Sequence, residues 1–204
     1  MEQAISNVRV DEITSSKYVK PVRMSYTQNG KETSRDFVVG LDAVFCLLFN
    51  KETKHFTFVK QFRAPVFYSS MGQVEHTNSH ISPGFIVELC AGICDKNQLT
   101  NVQICKEEIE EETGYHVSEQ QIEHISTFYR TPARSQAKSF LYYCEVDNFM
   151  KKSKGGGLEE EGEFIELVHV HMADIHKFLT VQQDVVLLFA VNWWLVHKQT
   201  LHQM

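Results

Sequence analysis

A single helix interrupts a stretch of chain that otherwise reads as strands, and its placement limits the fold more than any other feature of the sequence. Thr100–Thr113 is the first segment with helical period, with Val102, Cys105 and Ile109 on one stripe. Thr100 followed by Gln103 predicts a capping box at its start. Gly114 predicts a left-handed stop at its end. Before it, "DAVFCLLFN", "HFTFVKQFRAPVF" and "FIVELCAGIC" read as strands rich in β-branched and aromatic residues. After it, "IEHISTFYR", "SFLYYCEV" and "FIELVHVHM" do the same, and "ADIHKFLT" and Val185 to Lys198 close the chain as helices. Strand runs on both sides of one helix, without a regular βαβ alternation, predict a mixed α/β (α+β) fold.

Residues 1–40 are read separately. "YVKPVRMSYTQNGKETSRDFVVG" alternates on both sides of Asn29-Gly30, the strongest short-range hairpin signal. This predicts a small N-terminal antiparallel strand module at 1–40 and a main domain at 41–204. The segment between Phe67 and Phe85 is polar and glycine-bearing, and is expected to be a long surface loop.

Composition removes several function classes. The 204 residues carry a net charge of −6, against the basic face that nucleic-acid binding needs. The longest apolar run, Val185 to Val196, is too short to span a bilayer, and the N-terminus shows no secretory pattern. The five cysteines lie mostly in apolar runs and lack the paired spacing of a zinc site. They are expected to be buried thiols in a reducing, cytoplasmic compartment.

The helix itself is unusual. Cys105–Tyr115 holds five glutamates and one lysine. Glu108, Glu111 and Glu112 share one face by their spacing. Unneutralised, they repel by a few tenths of a kcal/mol per pair, roughly. A hard divalent cation such as Mg²⁺ reverses that cost. The competing reading is a solvated acidic face, which a charge run taken alone favours.

With "VELCAGIC" ahead of the helix and Thr113-Gly114-Tyr115 behind it, the arrangement resembles the Nudix box, G-x5-E-x7-R-E-U-x-E-E-x-G-U. The matching residues are Gly92, Glu108, Ile109, Glu111, Glu112, Gly114 and Tyr115. The chain departs from the pattern in three places. Glu107 stands where the family has arginine, with Lys106 one place earlier. Gly92 lies one residue further from Gly114, and the first glutamate has no counterpart, Gln98 being nearest. Outside the box, "VKQFR", "VELCAG" and "GGGLEEEGEFIE" are similar to the ADP-ribose pyrophosphatase branch of the Nudix hydrolases, and within it to the UDP-sugar diphosphatases.

The resemblance implies a Nudix α/β/α sandwich with a mixed sheet, and a homodimer built through the N-terminal strands. It implies Mg²⁺, or Mn²⁺ in its place, on Glu108, Glu111, Glu112, Glu163 and the Ala91 carbonyl. It implies Glu161 as the general base, with Glu159 and Glu160 as competitors in the same loop. It implies substrate contacts from Arg63, Glu88, Arg35 and Asp36, the last two reaching the base end from the dimer partner. The implied substrate is a nucleotide sugar, UDP-glucose first, cleaved to UMP and glucose 1-phosphate. ADP-ribose hydrolysis is the sibling expectation. Glu107 in the arginine's place leaves a third, a weakly active nucleotide-binding protein.

Overall fold

The computed structural model describes residues 5–16, 19–71, 83–158, 160 and 162–202. By their contacts these residues form two units, the chain up to Gly40 together with Tyr129–Ala137, and the remainder, Leu41–Phe128 with the chain from Lys138 onward.

The first unit is a two-stranded antiparallel hairpin, β1 (Lys20–Gln28) and β2 (Lys31–Val39), turned at Asn29 and Gly30 with φ of 52° and 77°. Two successive positive φ values are the type I′ geometry that matches strand twist, which is why Asn-Gly was the signal. Arg23 and Asp36 face each other across the pair and close a bidentate ion pair at 2.6 and 2.7 Å. The Tyr129–Ala137 segment joins this unit through Val38 N–H, which donates to the Arg134 carbonyl at 2.8 Å.

The second unit is built around β3 (Ala43–Asn50), every residue of which is buried. Its odd positions, Phe45, Leu47 and Phe49, pack in one core with Val186, Leu187 and Trp194. Its even positions, Val44, Cys46 and Leu48, pack in another with Ile104, Cys105 and Ile109. A strand apolar on both faces demands a cover on each, and helices on the two sides supply it. Trp194 is fully buried, and its indole N–H donates to the Tyr143 hydroxyl at 3.1 Å; truncating such a side chain costs about 3–5 kcal/mol.

The sheet is mixed and seven-stranded. β4 (His55–Phe62) leaves β3 by a short turn and pairs with it antiparallel only over Leu48–Asn50. Next comes a short helix, α1 (Ala64–Ser70). The sequence pattern extends the preceding strand through "APVF". Proline in the first turn lacks the N–H a strand needs and presets helical φ, so the segment turns helical. The expected single strand "FIVELCAGIC" is also two strands. β5 (Phe85–Glu88) pairs with β4, and β6 (Cys90–Ile93) pairs with the first half of β3. Leu89, fully buried, is the crossing point between them.

α2 (Asn101–Thr113) follows, with both hydrogen bonds of the Thr100/Gln103 capping box and Gly114 at φ 70°. β7 (Ile122–Tyr129) and β8 (Lys138–Val146) extend the sheet, β8 lying parallel to β3 along its whole length. β9 (Glu166–His171) returns antiparallel to β4. α3 (Ile175–Leu179) and α4 (Val185–His197) complete the unit. No helix among the described residues is long and apolar enough to cross a membrane. All five cysteines are free and four are buried.

Candidate active site

The crossing at Leu89 bends the chain so that Ala91 and Gly92 of β6 lie beneath α2. Two glutamates of the helix meet this short strand. Glu112, 2% exposed, accepts a hydrogen bond on Oε2 from the Ala91 N–H at 3.0 Å. Glu108 lies against Gly92 so closely that a Cβ built there would come 2.0 Å from its Oε1. Gly92 therefore forms a cradle for one carboxylate, as Ala91 N–H anchors the other.

Electrostatics follow from this burial. Burial pushes the Glu112 carboxyl up to about 8, against the hydrogen bonds from Cys90 and Ala91, with Glu108 and Glu163 adding repulsion. Glu108 is likewise raised to about 8, by burial first and then by Glu111 and Glu163. Among the described residues, neither makes an ion pair with a lysine or arginine. Buried carboxylates without a cation in contact, beside a third acid, fit a hard divalent ion held by oxygen donors. Among the described residues, no three His, Cys, Asp or Glu side chains are drawn together closely enough to hold a metal ion.

Glu163 is brought to this place by the glycine-rich loop. Its Oε2 accepts from the Leu158 N–H at 3.3 Å, and it acts electrostatically on both Glu108 and Glu112. Gly155–Gly157 dock this loop on the end of α2. All three have positive φ, Gly156 N–H donates to the Glu112 carbonyl at 2.8 Å, and Gly157 N–H to that of Glu111 at 3.3 Å. A Cβ on Gly155 would lie 2.3 Å from the Glu112 carbonyl oxygen. The loop satisfies the open C-terminal carbonyls of α2, and only glycine fits the approach.

The remaining candidates fall as follows. Glu111 lies on the same helical face, its carbonyl taken by the glycine loop. Glu161 and its competitor Glu159 lie outside the described residues. Arg63, at the N-cap of α1, and Glu88, at the end of β5, pair with each other at 2.7 Å. Arg35 and Asp36 lie on β2 in the other unit, where Asp36 is held by Arg23 and Arg35 donates to the Ser34 carbonyl at 2.8 Å. Glu110 leaves the acidic face and contacts His116 at 3.0 Å. Glu107 is held at 2.6 Å by Lys96, not by Lys106. Nothing in the spacing of the sequence marked Lys96; an eleven-residue separation across a loop and a helix start has no periodic signature.

No family model matches the chain. Individual proteins do. Uridine diphosphate glucose pyrophosphatase NUDT14 of Mus musculus is 29% identical over 210 residues, covering 94% of this chain and 95% of that protein. Its Bos taurus counterpart matches over the same span. The GDP-mannose pyrophosphatase of Salmonella arizonae is 30% identical over 173 residues, 82% of this chain and 83% of that protein. With this similarity along most of its length, and with the acidic helix set on a glycine-bearing strand, the chain belongs to the Nudix family as a homologue of nucleotide-sugar pyrophosphatases.

Proposed function

We propose that the protein hydrolyses the diphosphate link of a nucleotide sugar, UDP-glucose first, within a Nudix α/β/α sandwich. UDP-glucose and water would give UMP and glucose 1-phosphate. The observation that carries this reading is the convergence of Glu108 and Glu112 on Gly92 and Ala91. Glu108, Glu112, Glu111, Glu163 and the Ala91 carbonyl would hold Mg²⁺, which neutralises phosphate charge and makes bound water more acidic. Ala91 N–H fixes Glu112, the Gly92 cradle fixes Glu108, and the docked glycines carry Glu163 toward both. Glu161, two residues before Glu163, is assigned as the general base that accepts the water proton. Arg63, set by its bond to Glu88, would meet the diphosphate through its remaining guanidinium donors.

The relatives named for GDP-mannose favour a second substrate, since they match over most of the chain. One panel decides: turnover of UDP-glucose, GDP-mannose and ADP-ribose with Mg²⁺ and with chelator. UDP-glucose cleaved fastest supports the reading. A preference for GDP-mannose or ADP-ribose redirects the sugar and base assignment, and binding without turnover of any of the three overturns the hydrolase reading. The exposed hairpin of the first unit is assigned to a homodimer and, through Arg35 and Asp36, to the base end of the partner's substrate.

A further inference from the structure

Glu107 adds a negative charge beside Glu108, yet it points to a different partner. Lys96 Nζ lies 2.6 Å from Glu107 Oε2. Lys96 sits in the loop between β6 and α2. That loop is fastened by Cys94 N–H to the Asp42 carbonyl at 2.8 Å and by Leu99 N–H to the Lys96 carbonyl at 3.0 Å. From this position the ammonium acts electrostatically on Glu107, Glu111 and Glu108 together. Around Glu108 it opposes the repulsion from Glu111, Glu163 and Asp95.

We propose that Lys96 is a positioning residue for the metal-binding face of α2: clamped to Glu107, it ties the loop to the helix and holds Glu108 over Gly92. The inference rests on the metal-dependent hydrolase reading and deepens it. Like charges at helical spacing push each other off the shared face. A cation gripped by Glu107 offsets that push without occupying an oxygen of Glu108 or Glu112. The pair is substantially exposed on both sides, so its share of folding stability is small. Its effect falls on the acidic face.

Calorimetric titration of Mn²⁺ into wild type, Lys96→Met and Lys96→Arg tests this. Lys96→Met is expected to weaken Mn²⁺ binding about tenfold, the lower end of what outer partners of metal ligands contribute. The melting temperature of the metal-free protein should stay nearly unchanged. The metal concentration for half-maximal turnover should rise in step, while KM for the nucleotide sugar at saturating metal holds. Lys96→Arg should restore binding. Equal or tighter Mn²⁺ binding by Lys96→Met, with wild type binding normally, overturns this inference alone. Failure of arginine to restore binding overturns it as well. Wild-type protein that binds no Mn²⁺ overturns the metal reading itself, and this inference with it.

Discussion

A carboxyl that is 2% exposed and, among the described residues, has no lysine or arginine paired with it is held as the acid over an unusually wide pH range. For Glu112 the folded value is about 8, against an ordinary 4.5, and Glu108 behaves alike. Between those values the folded state holds more protons than the unfolded chain, so stability falls as pH rises through the window. The penalty is absent below about 4.5 and fully developed above about 8. Metal-free protein should therefore lose melting temperature from acid toward pH 8. A divalent cation competes with those protons, so Mg²⁺ should raise the melting temperature more at pH 8.5 than at pH 6. Equal increments at both values would contradict the assignment. Glu112→Gln removes the charge but keeps the shape. It should stabilise the metal-free protein and shrink the Mg²⁺ increment in thermal melts. Turnover should drop by roughly two orders of magnitude or more, since the lost charge stabilisation is several kcal/mol.

Among the elements, β6 and the glycine loop set α2 in place, and each can be disturbed separately. Gly92→Ala would put a Cβ on the Glu108 side chain, a flexible group that can move. The protein should fold with nearly unchanged melting temperature while Mg²⁺ affinity and turnover fall; full activity would show that Glu108 does not need the cradle. Gly155→Ala meets backbone instead, at a positive φ. It should destabilise by about 1–3 kcal/mol, read by denaturant unfolding. Both contacts escape a reading of the sequence, because spacing reports local period and not which carbonyl a loop will approach. What was legible was local: Thr100, Gln103 and Gly114 bound α2, and Asn29-Gly30 turns the hairpin. The parallel match of β3 with β8, the crossing at Leu89 and the pairing of Glu107 with Lys96 are long-range choices made by packing. The three spaced glutamates were legible as a face, but that Glu112 is buried depends on β6 lying beneath it.

For the whole molecule, the hairpin of the first unit presents mostly exposed positions, among them Met24 and Val39. A two-stranded ribbon is marginal alone in water, which supports the proposed homodimer. Sedimentation of the full chain should give twice the 23.6 kDa chain mass; a monomer at working concentration would remove the partner's Arg35 and Asp36 from the site. The acidic helix on β6 is proposed as a metal-dependent diphosphatase centre. Phosphorus NMR of UDP-glucose with the wild-type protein tests it most directly. UMP and glucose 1-phosphate are expected with Mg²⁺, neither product with chelator, and strongly reduced yield from Glu112→Gln. Cleavage that persists in chelator, or that Glu112→Gln leaves at the wild-type rate, would contradict it.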